Sequence, residues 1–463
     1  QTPTQSSILS TTVTTDLTQV IHHNTTEIGA PVILATGADI TVHIGNNSNL
    51  SAEGPDGDDF RAIDIAIEHS EESKALGIIP KAVINTYGSV QGIRVAGISE
   101  TEEPVATPIT INIRAGKVYG STFAIFVNQF RSTGDSSTTI NINNAEVFNT
   151  SLNDAAIYVF GNQPTPDLVN INIGENAYLY SKSGSAFVTI GDATINNEGR
   201  IHGTIRIDAI GKVNNYGQWL VGVNNQTTHE SSASEILNIG TLGLLPYHQS
   251  SQAIYKGNIT NTSLIKLSNG FAGDRVTIDG NLTSYNGSSI SLDVNLGSDN
   301  SAKDQLIITG DTYGESKIFI NNIGGNGEQT VNGIQIIKVL GYSEGKFNLG
   351  APVQAGNYEY LLYKVGNDFY LVSSLAVKPT ELNKQSNANS GSGLESSGSL
   401  NSYPSKAPQL LRPAVTGFSI TPAVNFQSNY AMLGTTSSRA QAQSNAKKAF
   451  QSVWAQTGFA KQN

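Results

Sequence analysis

The chain contains no cysteine, one methionine and two tryptophans in 463 residues, and only 14 % of its residues are charged. Without thiols it can form no disulfide and offers neither a cysteine nucleophile nor a soft metal ligand. A cysteine-free chain suits the cytosol. It equally suits export through a narrow outer-membrane pore, where a disulfide-closed loop would have to pass as a folded knot. No apolar run approaches the roughly 18 residues that a membrane-crossing helix requires. The chain opens at Gln1 with no basic-plus-apolar leader, so an exported form is expected to have lost its signal peptide already. The net charge of -10 argues against a nucleic-acid partner, which would need a basic stripe.

What is abundant is Gly, at 46 residues, together with Asn, Ser and Thr. Gly reaches positive φ at corners, and Asn serves both left-handed corners and side-chain ladders. A short phrase returns through the first half: Thr110-Ile111-Asn112-Ile113, Thr139-Ile140-Asn141-Ile142, Asn170-Ile171-Asn172-Ile173, then the degraded Thr194-Ile195-Asn196-Asn197 and Val213-Asn214-Asn215. The intervals are 29, 31, 24 and 18 residues, close to one coil of a β-helix with insertions at its corners. A second phrase keeps step: Ala124-Ile125-Phe126-Val127, Ala156-Ile157-Tyr158-Val159, Ala186-Phe187-Val188-Thr189. Two strands per coil are thereby marked. Within each phrase apolar and small polar residues alternate, as expected of strands buried on one face. A sandwich would not place the same two phrases in the same order at every coil-length step. The pattern predicts an all-β, right-handed parallel β-helix whose stacked coils bury one apolar column.

Residues 1 to 110 hold 14 Asp and Glu against 4 Lys and Arg, which accounts for the whole net charge. The clusters are Glu53 to Asp59, Glu68 with Glu71 and Glu72, and Glu100 to Glu103. Asp56-Gly57-Asp58 only hints at a calcium loop, which would need a closing bidentate Glu, and solvated loops are the simpler reading.

From about residue 279 the order of phrases becomes distinctive. It runs Gly280-Asn281-Leu282, Ser289-Ile290-Ser291-Leu292-Asp293-Val294, Asp304-Gln305-Leu306-Ile307-Ile308, Gly310-Asp311, Ile318-Phe319-Ile320-Asn321-Asn322 and Gly333-Ile334-Gln335-Ile336-Ile337-Lys338-Val339. It ends with Phe347-Asn348-Leu349, Ala355-Gly356-Asn357-Tyr358-Glu359-Tyr360 and Asp368-Phe369-Tyr370-Leu371. This resembles the C-terminal cap, or autochaperone region, of pertactin-like bacterial autotransporter (type V secretion) passengers. The physics agrees: an open solenoid end exposes apolar side chains and strand edges, and a cap must cover them. Tyr358, Tyr360, Tyr363, Phe369 and Tyr370 fall within 13 positions, and at about 2 kcal/mol per buried aromatic they could make this the most stable unit of the chain. The resemblance implies emergence C-terminus first, with this unit templating each later coil.

On this reading residues 1–275 form the passenger coils and 276–373 the cap. Residues 374–410, rich in Ser, Asn and Gly, are a flexible linker unable to bury a core. Residues 411–463 then form a translocator-proximal helix and the start of a first barrel strand. Leu411-Arg412-Pro413-Ala414-Val415 and Tyr430-Ala431-Met432-Leu433-Gly434-Thr435 resemble the family's approach to its pore, and Ser452 to Phe459 alternates like a barrel strand. Thr436-Ser437-Ser438-Arg439 departs from the family's usual continuation, which leaves the helix boundary open, with a surface helix over Ala440 to Phe450 as the alternative.

No hydrolase motif is complete. Gly134-Asp135-Ser136-Ser137 lacks the second Gly of a serine-protease elbow and reads as a turn. Gly434-Thr435-Thr436-Ser437, nearest to a subtilisin-like phrase, lies in the barrel approach. His22, His23, His43, His69, His202, His229 and His248 show no metal-ligand spacing. Glu146 and Glu175 are isolated strand acids rather than a glycan-cleaving pair. The expectation is therefore no enzyme, with no catalytic residues, cofactor or metal.

The long departures from the coil rhythm, Gly54 to Ser73, Ser99 to Val105, Gln129 to Ser137, Gly161 to Asp167 and Asn224 to Glu235, are the expected recognition loops. The resemblance implies a secreted or surface-displayed protein, exported through the periplasm with the help of its own outer-membrane β-barrel translocator. The expected role is non-catalytic contact with a host cell-surface protein or receptor, as an adhesin. A released effector engaging a host receptor and homophilic self-association between bacteria are the alternatives.

Overall fold

In a computed structural model of the protein, the described residues are 10–15, 20–24, 31–46, 48–53, 61–99, 107–129, 137–160, 168–222, 228–245 and 251–373. The expected linker and translocator-proximal segment fall outside them, as do 54–60 with Asp56-Gly57-Asp58, 100–105, 130–136, 161–167 and 224–227 of the expected recognition loops. The rest of the first expected loop is instead strand Ile63–His69 and the start of helix Glu71–Ala75, and the rest of the last is strand from Thr228.

The described chain is a parallel β-helix in which each strand pairs with its counterpart one coil away. Three faces make a coil. In one coil they are Ile109–Ile113, Gly116–Gly120 and Ile125–Asn128, and in the next Ser137–Ile142, Ala145–Asn149 and Ile157–Phe160. Every one of these pairs runs parallel in register. The two repeated phrases are the first and third faces. The second face, not marked in the sequence reading, contributes Val118, Val147, Leu179, Ile201 and Trp219 to the interior.

Alternation decides which side chains enter. On the first face Ile111, Ile140, Ile171, Ile195 and Val213 stack in successive coils, all essentially inaccessible. Burying each branched side chain contributes about 2 kcal/mol, and a one-residue slip would turn the whole set outward. The register is thus fixed by the interior. The outward residue between them is Asn, and its amides form a file across six coils. Asn112 donates to Asn85, Asn141 to Asn112, Asn172 to Asn141, Asn196 to Asn172 and Asn214 to Asn196, at 2.8–2.9 Å. The sequence separations of the last four links are 29, 31, 24 and 18 residues, the intervals of the repeated phrase.

A second asparagine file lies inside. The inward corner position occupied by Ile113, Ile142 and Ile173 becomes Asn197, Asn215, Asn238 and Asn261 in the following coils. Here each amide donates to the next coil, Asn197 to Asn215, Asn215 to Asn238 and Asn238 to Asn261, at 2.7–2.8 Å. The same amides also donate to the backbone carbonyls of Gln218, Thr241 and Leu264 at 2.9–3.0 Å. Buried polar groups demand such partners. As corners shorten toward the C-terminus, single strands such as Thr228–Asn238 and Gln252–Asn261 continue across two faces. Gly257, at φ +132°, makes one such bend. A Cβ there would lie 1.7 Å from the Ala233 carbonyl oxygen, so no other residue fits.

Parallel stacking stops at the C-terminal end. Ile334–Val339 pairs antiparallel with Asp368–Val372, which pairs antiparallel with Tyr358–Val365, whose start pairs with Val353–Ala355. The change of direction closes the third face with a hairpin, which needs no crossover.

Asn215→Ala should lower the unfolding free energy of the chain by about 1–3 kcal/mol, because it removes two interior links and takes the donor from the Thr241 carbonyl and from Asn238 Oδ1. Asn141→Ala, in the half-buried outer file, should cost under about 1 kcal/mol. Equilibrium denaturation of the two variants measures the difference.

Candidate functional site

Carboxylates organise the C-terminal coils. At the turn between the second and third faces, Asp274 precedes strand Arg275–Asp279 and Asp304 precedes Gln305–Ile308, one coil later in register. Asp304 Oδ1 accepts the backbone N–H of Gly273 at 3.1 Å and of Asp274 at 3.0 Å, and its Oδ2 accepts that of Asp293 at 2.7 Å. Asp293 in turn accepts from the N–H of Asn269 and Gly270 at 2.9 and 2.7 Å and from the Asn321 amide at 2.8 Å. Asp274 Oδ1 accepts the Ser251 N–H at 2.6 Å, one coil earlier. Side chains thus hold corner backbone that the strand ladder cannot reach.

The same device recurs higher in the cap. Asp299 accepts three consecutive N–H groups, from Val331, Asn332 and Gly333, at 2.8–2.9 Å. Asp368 accepts the Val339 N–H at 2.8 Å. At the hairpin, buried Tyr360 places its hydroxyl 2.9 Å from the Gly297 carbonyl and accepts the Glu328 N–H at 3.0 Å. Ser373 N donates to Thr330 Oγ1 while Ser373 Oγ accepts from Thr330 N, at 2.8 and 2.9 Å. Phe347 and Phe369 meet edge to face at 4.8 Å beneath the hairpin. Of the five aromatics singled out in the sequence, Tyr360 and Phe369 enter the core and Tyr358 packs against it.

The acids considered as an enzyme pair do not meet. Glu146 is an outward strand residue on the second face, 3.2 Å from Lys117 in the coil before. Glu175 belongs to the exposed turn before Tyr178–Thr189 rather than to a strand, and Glu146 is in register with Tyr178 instead. His202 sits 2.7 Å from the Tyr178 hydroxyl and 3.1 Å from Gln218 Oε1, and burial, reinforced by nearby Arg200, pushes its pKa down. Gly134, Asp135, Ser136, the Gly434 phrase and His248 lie outside the described residues. Among the described residues, no three His, Asp or Glu side chains are arranged to hold a metal ion.

The second face carries an outward aromatic file. Tyr119, Phe148 and Tyr180 stack at centroid distances of 5.8 and 4.8 Å with ring planes within 18° and 7° of parallel. Their faces are occupied by each other, so the file braces neighbouring coils rather than presenting a platform. The sequence reading missed it, along with the buried acids. The signals were present as Val118-Tyr119, Val147-Phe148 and Leu179-Tyr180, and as an Asp immediately before an alternating strand at Asp274 and Asp304.

Residues 255–362 match the family model of the type 1 autochaperone domain. A parallel β-helix ending in such a domain is an autotransporter passenger, and its class is exported to the cell surface or secreted. The chain is 36 % identical over 138 residues to the probable autotransporter YfaL of Escherichia coli (strain K12), covering 28 % of this chain and 11 % of that protein. It is 38 % identical over 136 residues to the autotransporter adhesin AIDA-I of Escherichia coli, 28 % of this chain and 10 % of that one. Against the adhesin BmaC autotransporter of Brucella suis biovar 1 (strain 1330) it is 37 % identical over 138 residues, 27 % and 4 %. The alignments thus cover a small part of each relative.

Tyr360→Phe removes one hydroxyl from three polar neighbours and should destabilise the cap by about 1–3 kcal/mol. Limited proteolysis should then release the hairpin 353–373 before the upstream coils are cut, whereas the parent chain should resist at both places.

Proposed function

We propose that this passenger makes non-catalytic contact with host cells as an adhesin. The observation that carries the reading is where the coils lengthen. The connection from third to first face is drawn out in consecutive coils, at 70–80, 100–108, 129–136 and 161–167, and then contracts to 190–192 and 208–210. Long connections of four adjacent coils therefore leave the same corner of a rigid rod. Recognition surfaces are commonly built this way, on loops held by a scaffold. Two of the relatives are themselves named adhesins, which supports the same reading.

In the first of these connections Ser70 caps a one-turn helix, Glu71–Ala75, accepting the Ser73 N–H, and Leu76 and Ile79 stand exposed beyond it. Exposed apolar side chains on a loop of this kind suit a protein partner. A second reading, a released effector, is favoured by the Ser-, Asn- and Gly-rich 374–410 stretch, a composition open to cleavage.

Replacing 129–136 and 161–167 together with the short connection Asp208-Ala209-Ile210 should reduce attachment of passenger-displaying bacteria to cultured host cells at least tenfold while thermal unfolding of the passenger is unchanged. Undiminished attachment would refute the adhesin reading at this corner. Washing the cells and blotting both fractions separates the alternatives, since an adhesin stays with the cells and an effector appears in the medium.

A further inference from the structure

Asp274, Asp293 and Asp304 are an unusual set. Their exposures are 1 %, 0 % and 0 %, and they are joined through one another's backbone, Asp304 Oδ1 to Asp274 N and Asp304 Oδ2 to Asp293 N. Buried carboxylates ordinarily have a cation beside them. Among the described residues none of the three forms an ion pair, and the adjacent cations Arg275 and Lys303 do not reach them. The groups are not arranged to share a metal either. The titratable groups facing Asp304 are Asp274 and Asp293 themselves, and Asp293 also faces Asp274. From the other packed segments come only neutral donors: Ser251, Asn269, Gly270, Gly273 and Asn321.

One carboxylate oxygen of the set, Asp274 Oδ2, is buried and meets no protein donor in full hydrogen-bond geometry, although the Asn269 side chain lies close enough to Asp274 to offset part of the cost of burying its charge. Seven hydrogen bonds, six of them from backbone N–H groups, hold the remaining charge, but they leave three carboxyl groups in one buried corner. We propose that this corner takes up a proton as the autochaperone coils form, so that the cap is a proton-stabilised latch whose closure is favoured in mildly acidic surroundings. Asp274 and Asp304 share the proton, because adjacent buried carboxyls titrate as a unit. Burial pushes the Asp304 carboxyl up to about 8 and the Asp274 carboxyl to about 6, the N–H donors to each offsetting part of the rise.

The direction follows from linkage. A carboxyl raised in the folded state holds its proton where the unfolded chain has lost it, so stability is greatest at or below the unfolded value near 3.8 and falls as pH climbs toward about 8. That is opposite to the usual carboxylate, which stabilises the fold once ionised. Across most of this window one proton changes the folding equilibrium constant about tenfold per pH unit. Given export, the passenger folds where the pH of the medium acts on it directly.

The test is equilibrium unfolding of the full chain in urea from pH 5.5 to 8.5, followed by near-ultraviolet signal from the cap tyrosines, with Asp304→Asn and Asp274→Asn alongside. The parent cap should lose stability steadily with rising pH, approaching tenfold per unit in its equilibrium constant, and each variant should flatten that slope. A parent slope that is zero or upward overturns the latch. So does an unchanged slope in a folded Asp274→Asn. Asn at 304 sets an amide against the Asp293 N–H and can prevent folding, so refolding of the parent chain is also measured by calorimetry at pH 6.5 in buffers of different ionisation enthalpy. Net uptake near one proton per chain supports the latch, and none or net release refutes it.

Discussion

A strand in this protein has almost nothing to hold it except the strands directly above and below. Ile111 rests on Ile140 and Ile140 on Ile171, and each coil exchanges hydrogen bonds only with its neighbours. A lone coil would expose its inward column on both sides, so stability arises between coils and not within them. The constraint falls unevenly on the sequence. Inward positions keep their apolar or ladder-forming character coil after coil, while the corners are free to lengthen, as they do at 70–80 and 161–167. Rigidity of the rod and variability of its edge have the same origin.

The interior chemistry changes along the rod in a consistent direction. Aliphatic side chains fill the corner position at Ile113, Ile142 and Ile173, asparagine takes over from Asn197, and aspartates acting on backbone N–H groups dominate beyond Asp274. Toward the cap, packing that any branched side chain can supply gives way to hydrogen bonds with a single satisfactory geometry. Polar interiors of this kind are demanding, since each unmet donor or acceptor costs about as much as several met ones contribute. They favour one arrangement over near alternatives.

The coil rhythm was legible in the sequence because it rests on Ile, Val and Asn at period two. Ile111, Asn112, Ile140 and Asn141 announce their pairing, and the cap could be read from ordered phrases such as Asp304 to Ile308. The second face escaped notice because the first of its outward positions changes identity, from Lys117 to Glu146 to Tyr178 and Arg200, so that no fixed phrase recurs. The acid corner was illegible for a different reason. Asp274, Asp293 and Asp304 are far apart in sequence, and only stacking of the last coils shows that they share an interior. Glu175 read as a strand acid although Gly174 and Asn176 on either side of it are turn residues.

The two asparagine files point in opposite directions, the outer one donating toward the N-terminal end and the inner one toward the C-terminal end. Where they run side by side, at Asn196 with Asn197 and Asn214 with Asn215, their amide dipoles are antiparallel and largely cancel. A single file would add its moment with every coil and build partial charge at the two ends of the rod. The overlap therefore acts as a joint: the outer file ends at Asn214 as the inner one begins at Asn197, and the two coils where both are present are the ones at which the moment of one is offset by the other.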